Sequence, residues 1–250
     1  MAISYVGSGA RVAQSTNWFD VPLPSGLADR DALVLFFYGR SGALVTGPRN
    51  WSQIYGGAAS NRRLYAWFRQ YNAQNMAGRT FQVFNGVNNG QARILAFRTN
   101  TAGSIVAPTG ALSTMYSGTG VTNVGAIGAA SPQPAIGAVI FSCGQNTTWT
   151  SVATLSGNSL TWTELFDDAS ALGNGSSMAA DFASWTSAPT LTSKTFTVTG
   201  GSAADAMGYS FILGEYPTDV VLRRDRSGSL LVPATRRLSR PVSMPLVTMA

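Results

Sequence analysis

The stretch Asp31–Gly39 reads Asp-Ala-Leu-Val-Leu-Phe-Phe-Tyr-Gly, with seven consecutive aliphatic or aromatic residues between the aspartate and the glycine. It contains no proline and shows no helical periodicity, so it predicts a strand that is buried on both faces. The stretch Ala138–Gly144 has a similar sequence and also ends in glycine. We therefore expect this core strand to occur twice in the fold.

Four further blocks follow the core strand in the same order in both parts of the chain. The offset between the copies is 105 residues for the core strand and 111 to 115 residues for the other blocks. Loop insertions explain a drift of this size, so the pattern predicts one internal duplication rather than a solenoid. The matched blocks are Asn50–Ile54 with Thr161–Leu165, Arg63–Phe68 with Ser177–Phe182, Arg79–Val83 with Lys194–Val198, and Ala92–Phe97 with Ala206–Phe211.

The composition indicates an all-β protein. Charged residues make up only 11% of the chain, and there are 27 glycines, whereas soluble proteins average about 25% charged residues. Short strands separated by Gly, Asn and Ser turns are typical of β-sandwiches. We expect two tandem antiparallel β-sandwich units, jelly-roll or immunoglobulin-like, at residues 1–105 and 106–216. Trp51 and Phe81 are the expected core anchors of the first unit.

The charge changes sign along the chain. Residues 1–105 contain ten Arg and three Asp, a net charge of +7, whereas residues 106–216 contain one Lys and six acidic residues, a net charge of −5. Residues 217–250 contain six Arg and two Asp, a net charge of +4. Oppositely charged units favour self-assembly or docking in one orientation. Because the acidic unit would repel phosphate, no nucleic-acid partner is expected.

Residues 217–250 differ in character from the rest of the chain. Basic pairs alternate with Leu and Val, and Pro233, Pro241 and Pro245 forbid a continuous helix. Apolar groups spaced along a basic segment predict an extended arm that anchors on a neighbouring subunit, and a disordered tail is the alternative. The expected anchoring residues are Leu222, Arg223, Arg224, Arg226, Leu230, Leu231, Arg236, Arg237, Leu238 and Arg240.

The chain contains no histidine and one cysteine, which removes the usual general base, the commonest metal ligand and the nucleophile pairs that need histidine. The remaining candidate is the carboxylate group Glu164, Asp167 and Asp168, which suits a glycosidase pair or a Ca²⁺ site. Asp167 and Asp168 begin a predicted Gly/Asn/Ser loop, where carboxylates are ordinarily solvated. We therefore expect no enzymatic activity, no cofactor and no metal.

Targeting and membrane segments are also not expected. Met1–Val6 lacks the basic and apolar regions of a secretory signal. The most apolar long segment, Gly125–Cys143, is interrupted by Pro132 and Pro134, so no membrane span is predicted.

The blocks Asp31–Phe37, Asn50–Ile54, Arg63–Phe68 and Ala92–Arg98 resemble a pattern that is frequent in structural proteins of tailed bacteriophages and prophages. In that pattern an apolar strand, a Gly-Trp-Thr-like segment, an aromatic strand and an Ala-to-Phe-Arg strand mark a β-sandwich of the virion. The resemblance covers residues 1–100 and, more weakly, residues 130–215.

The resemblance implies a non-enzymatic virion protein that acts in many copies and contacts major capsid or tail subunits. We expect a capsid decoration protein anchored by the arm. The alternatives are a tail or tail-fibre protein that contacts host glycans, and a secreted carbohydrate-binding or carbohydrate-degrading module. Trp67 is the aromatic residue through which glycan contact is expected, and the second unit has Asp181 at the matching position.

Overall fold

The computed structural model describes residues 3–14, 16–40, 45–59, 62–85, 90–100, 104–105, 112–115, 121–124, 135–143, 148–152, 163–170, 176–185, 194–199 and 207–216. These residues lie mostly in strands, and the pairings between neighbouring strands are antiparallel. The prediction of an antiparallel all-β protein is therefore confirmed for them. Met1–Tyr216 forms one compact unit. The predicted arm and its ten anchoring residues lie outside the described residues.

The first half of this unit contains nine described strands and one helix. Their bounds are β1 Ile3–Ser8, β2 Val12–Gln14, β3 Trp18–Pro22, β4 Ala32–Arg40, β5 Val45–Thr46, β6 Ser52–Ala59, β7 Arg62–Gln70, α1 Ala73–Met76, β8 Thr80–Asn85 and β9 Gly90–Thr99.

The second half contains nine further described strands. Their bounds are β10 Ser104–Ile105, β11 Leu112–Met115, β12 Val121–Val124, β13 Ala135–Cys143, β14 Thr148–Val152, β15 Thr163–Ser170, β16 Ser176–Trp185, β17 Lys194–Thr199 and β18 Met207–Tyr216.

The strands form two large and two small sheets. The first large sheet has the order β1-β9-β4-β7-β6, with β2 also paired to β9, and the first small sheet has the order β3-β8-β5. The second large sheet has the order β10-β18-β13-β16-β15, with β11 also paired to β18, and the second small sheet has the order β12-β17-β14.

Strand β4 lies at the centre of the first large sheet, between β7 and β9. Every residue from Ala32 to Tyr38 has 0% of its surface exposed, so the predicted burial of both faces is confirmed. Successive side chains of a strand point to opposite faces, and β4 accordingly contributes to two separate hydrophobic clusters.

One face of β4 packs against the first small sheet. Leu33, Leu35 and Phe37 share a cluster with Phe19 and Val83, and the rings of Phe19 and Phe37 meet edge to face with 5.1 Å between their centroids. Phe–Phe contacts of this geometry stabilise a core beyond the area that they bury.

The expected anchors Trp51 and Phe81 belong to the same cluster. Trp51 is 8% exposed and Phe81 is 9% exposed, and their rings meet with 5.2 Å between their centroids. Both residues are therefore confirmed as core residues.

The other face of β4 packs against the second large sheet. Phe36 stacks on Phe211 with 5.9 Å between the ring centroids, and Phe97 stacks on Phe182 at 5.8 Å. Residues on both sides of the predicted 105/106 boundary therefore share one hydrophobic cluster. This contact explains why the core strand has no polar face.

A buried carboxylate fixes the start of β4. Asp31 is 2% exposed, and it accepts hydrogen bonds from the Ala28 amide at 2.8 Å and from Nε and Nη2 of Arg98, both at 2.7 Å. The hydrogen bond to Asp31 raises the pKa of Arg98, and this outweighs the lowering by burial. The ion pair between Arg98 and Asp31 ties the start of β4 to the end of β9.

Strand β6 includes two adjacent glycines, Gly56 and Gly57, although consecutive glycines are typical of turns. Gly56–Ala59 continues β6 and pairs with β7. A Cβ atom on Gly56 would lie 2.8 Å from Cε1 of Tyr65, so this glycine makes room for the Tyr65 ring, which stacks on Trp67. The glycines mark close packing inside a strand rather than a chain reversal.

Candidate functional site

The carboxylate group predicted from the sequence is part of a strand and not of a loop. Glu164, Asp167 and Asp168 all lie on β15. Asp168 forms an ion pair with Arg93 at 2.7 Å, and the two side chains are only 19% and 15% exposed. The Arg93 guanidinium also lies 4.5 Å from the centroid of the Phe166 ring. Asp168 therefore joins the two large sheets, which is a structural role.

The described residues contain no group of three or more His, Cys, Asp or Glu side chains that could hold a metal ion. The predicted glycan-contacting residue Trp67 is 2% exposed. Its ring is covered by Tyr65 at 5.6 Å and fills the space beside Gly47. Trp67 is a core residue, so the expectation that it contacts glycan is corrected.

An arginine cleft opens at one edge of the first half, where the first large and first small sheets meet. Its volume is about 800 Å³, and its lining includes Arg49, Arg69 and Arg79. The other lining residues supply amides, a hydroxyl and a ring, and they are Pro48, Asn50, Asn75, Thr80, Phe81 and Gln82. No acidic side chain is found among the described residues that line the cleft.

Arg49 is held by a turn between β5 and β6. The Trp51 amide donates a hydrogen bond to the Pro48 carbonyl at 3.3 Å, and Asn50 has a φ of 65°. A positive φ at the third residue of a turn favours Gly or Asn. Because Trp51 is inserted in the core against Phe81, the turn is anchored and Arg49 is left exposed to solvent.

Arg69 forms the inner wall of the cleft at the end of β7. Its guanidinium carbon lies 5.9 Å from the Phe81 ring centroid, and its Nη1 donates a hydrogen bond to the Arg49 carbonyl at 3.5 Å. A cation over an aromatic face is favourable and keeps the side chain extended. The positive charge of Arg69 is therefore held at the cleft.

Arg79 follows helix α1 and the bend at Gly78. The Asn72 side chain caps the helix by accepting from the Asn75 amide at 3.2 Å, and Met76 is 1% exposed. Gly78 has a φ of +69°, which redirects the chain into β8. The Arg79 amide donates to the Met76 carbonyl at 3.1 Å, so the helix places Arg79 on the cleft.

The cleft is therefore positively charged. The ion pairs of the described residues involve Arg93 with Asp168 and Arg98 with Asp31, and none of the three cleft arginines takes part in them. Three guanidinium groups with exposed donors are suited to carboxylate, sulfate or phosphate groups.

An aromatic platform lies on the outward face of the first small sheet, beside the cleft. Trp18 is 53% exposed and pairs across the strands with Phe84, with 4.8 Å between the ring centroids. Next along the strands, Gln82 Nε2 donates to Asp20 Oδ1 at 2.9 Å. We define Trp18, Asp20, Gln82 and Phe84 as the platform.

The alternating sequence of β3 carries a signal for the platform. Trp18-Phe19-Asp20-Val21 alternates, and Phe19 and Val21 are the buried residues, so Trp18 shares the polar, outward face with Asp20. A tryptophan at a polar position of an alternating strand is informative because large exposed apolar groups are uncommon. The cleft had no such signal, because its arginines come from separate segments.

No family, curated protein or solved structure matches this chain. The described part of the chain includes no helix with the length and apolar character needed to cross a membrane.

Proposed function

We propose that this protein is a non-enzymatic structural protein of a bacteriophage particle, built from two β-sandwich units that arose by internal duplication. The observation that carries the proposal is the strand order of the two halves. Each half contains nine strands in the described residues, and the two sets pair in the same order.

The agreement extends to every sheet. In each half the first, ninth, fourth, seventh and sixth strands form the large sheet, and the third, eighth and fifth strands form the small sheet. The second strand of each half, β2 or β11, also pairs with the ninth. Coincidence rarely reproduces an order of this length, so the topology supports duplication of one ancestral unit. Duplicated β-sandwiches are what the resemblance to phage structural proteins implies.

The absence of histidine from the sequence and the use of Asp168 in an ion pair support a role by contact rather than catalysis. Within a particle we place the protein on the capsid as a decoration protein in many copies, with residues 217–250 as the anchoring arm. Its partners are then major capsid subunits.

Fractionation of purified particles tests this placement. Heads and tails are separated and each fraction is analysed by mass spectrometry, and we expect the protein in the head fraction at high copy number. Detection only in the tail fraction would overturn the capsid assignment in favour of a tail protein. Detection only as free protein would overturn the virion proposal.

Deletion of residues 217–250 tests the arm. We expect the shortened chain to keep its unfolding transition, because the clusters of β4 lie within Met1–Tyr216, and to lose incorporation into particles. Incorporation of the shortened chain at wild-type occupancy would show that the arm is not the anchor.

A tail or tail-fibre protein that contacts host surface glycans is the second candidate. The exposed Trp18 beside Asp20 and Gln82 favours it, because an aromatic ring next to hydrogen-bonding groups matches the apolar and polar faces of a sugar. Glycan binding by a protein that is absent from particles would instead identify a carbohydrate-binding module.

A further inference from the structure

We propose that the arginine cleft and the aromatic platform form one binding surface for an acidic oligosaccharide that carries carboxylate groups. A carboxylate is bound by Arg49, Arg69 and Arg79, and a sugar ring further along the chain stacks on Trp18. The inference rests on the glycan-contacting candidate and deepens it by naming the ligand class.

The arginine cleft and the aromatic platform are continuous along β8. Thr80 and Gln82 line the cleft, and Gln82 and Phe84 belong to the platform. Pro22, Asp20 and Trp18 lie opposite Thr80, Gln82 and Phe84 in the strand pairing. At about 3.3 Å per residue, the surface from Thr80 to Phe84 is roughly 13 Å long. A ligand of several linked sugars is therefore needed to contact both ends.

The charge of the cleft selects an anionic group. Arg69 is fixed against Phe81, while Arg49 and Arg79 are exposed on two sides, and neither exposed guanidinium forms an ion pair within the described residues. Bidentate hydrogen bonds from guanidinium to carboxylate are among the strongest that proteins make. A neutral sugar would bring no counter-ion to these three charges.

Asp20 excludes a ligand that is charged along its whole length. It lies between the cleft and Trp18, and it is bonded to Gln82 at 2.9 Å. A nucleic acid carries a phosphate at every nucleotide, and an acidic peptide carries closely spaced carboxylates, so either would bring negative charge against Asp20. Sugar hydroxyls instead donate hydrogen bonds to a carboxylate. An oligosaccharide with alternating acidic and neutral units can place a carboxylate in the cleft, hydroxyl groups at Asp20 and a sugar ring on Trp18.

The test uses the purified full-length chain and isothermal titration calorimetry. The probe is a hyaluronan octasaccharide, in which glucuronate alternates with N-acetylglucosamine. The comparison ligands are a neutral chitin oligosaccharide, a single-stranded DNA oligonucleotide and a poly-glutamate peptide. We expect the hyaluronan probe to bind at least about tenfold more tightly than the chitin oligosaccharide, because charge-assisted bonds are worth about 1.5 to 3 kcal/mol. We expect it also to bind more tightly than the DNA and the poly-glutamate, whose closely spaced negative charges would lie against Asp20.

Variants separate the two parts of the surface. Arg79→Ala is expected to weaken hyaluronan binding about tenfold, whereas Arg79→Lys, which keeps the charge but loses the planar fork, should weaken it less. Trp18→Ala is expected to weaken binding about fivefold, and Trp18→Phe should restore part of the loss. Arg11→Gln is the matched control, because Arg11 is exposed and does not line the cleft.

Circular dichroism and the thermal midpoint establish that each variant is folded, and all the substituted side chains are exposed. Equal binding of the neutral oligosaccharide, tighter binding of DNA or poly-glutamate, or an unchanged affinity in Arg79→Ala would each overturn the inference. Because these experiments need no particle, failure to bind hyaluronan is distinct from failure of the protein to appear in particles.

Discussion

The two halves of the molecule have the same strand order but different surface chemistry. In the matched blocks, Arg79 corresponds to Lys194 and Trp67 to Asp181, and extending the block by one residue sets Arg69 against Ala183. Ala183 is 1% exposed, so the second half cannot repeat the wall that Arg69 provides. The topology is thus shared while the arginine cleft belongs to the first half. The two halves therefore share a strand order although they differ at buried positions, such as Trp67 and Asp181, as well as at exposed ones.

Removing a hydrophobic contact between the two halves should have the largest effect on stability. Phe36→Ala removes the ring that stacks on Phe211, and we expect a loss of about 4 kcal/mol in the free energy of unfolding. Urea denaturation followed by circular dichroism measures this loss. If the halves are truly coupled, the variant should also increase hydrogen exchange in β18.

Phe37→Ala is the matched control for this comparison. Phe37 is on the same strand and equally buried, but its ring contacts Phe19 in the first small sheet. We expect a similar loss of stability with faster exchange in β3 and β8. Unchanged exchange in β18 for Phe36→Ala would contradict coupling and would indicate halves that unfold independently.

The Asp31–Arg98 ion pair is a second difference between the two halves, and its removal should have the next largest effect on stability. The corresponding positions in the second half, at the block offsets of 105 and 114, are Ile136 and Ile212, so only the first half has this pair. Asp31→Asn keeps an acceptor for the Ala28 amide but removes the charge opposite Arg98. We expect a loss of about 2 kcal/mol, measured by urea denaturation.

Asp20→Asn is the control for Asp31→Asn, because Asp20 is exposed and accepts a hydrogen bond from Gln82 rather than from a buried arginine partner. It should change the free energy of unfolding by less than about 0.5 kcal/mol. A loss as large as that of Asp31→Asn would show that the effect is one of net charge and not of the buried pair.

The Arg93–Asp168 ion pair provides a more specific test of the coupling between the two large sheets. A double-mutant cycle with Arg93→Ala and Asp168→Ala should give an interaction energy of about 1 to 2 kcal/mol, because both side chains are mostly buried. The cycle is measured by chemical denaturation. An interaction energy near zero would show that the two sheets are held by hydrophobic contacts alone.

Much of the fold could be predicted because its signals are local. The apolar run Ala32–Tyr38 has no polar face, and this alone required two covering layers. Its sequence could not identify the layers, because they involve residues as distant as Phe19 and Phe211. Local composition is typical of a turn at Gly56–Ala59, but these residues continue strand β6. Gly56 is needed there because a side chain would collide with the Tyr65 ring.

The strand pairing does not align the two core strands more finely than their sequences do. An offset of 105 sets Phe36 against Phe141. Relating the neighbouring strands by their block offset of 114 gives Ile140 through β7 and β16 but Ser142 through β9 and β18. A shift of one residue exchanges the two faces of a strand, so the alignment of the blocks by residue similarity does not fix which faces correspond.

The arginine cleft could not be predicted from the sequence because its residues are far apart along the chain. Arg49, Arg69 and Arg79 are 20 and 10 residues apart and lie on a turn, a strand end and a helix-to-strand junction. Only the packing of two sheets brings them together. The helix that places Arg79 has four residues, which is too short to produce a periodic pattern.

Removing the side-chain cap of this short helix should have the smallest effect on stability. Asn72→Ala removes the side-chain oxygen that accepts hydrogen bonds from the Asn75 amide and from Asn75 Nδ2, and it should cost about 1 kcal/mol of stability. Asn75 and Arg79 line the cleft, so the loss is local to the binding surface. Asn72→Ser keeps a neutral capping acceptor and serves as the matched control.

For Asn72→Ala we expect the affinity for the hyaluronan octasaccharide to fall about threefold, because the loosened helix must be ordered again when the ligand binds. Asn72→Ser should keep most of the wild-type affinity. Calorimetry of both variants decides the question. Equal affinities would mean that the cap stabilises α1 without positioning Arg79, and the pre-formed geometry of the cleft would then depend on the Gly78 bend and on the Arg79 hydrogen bond to Met76.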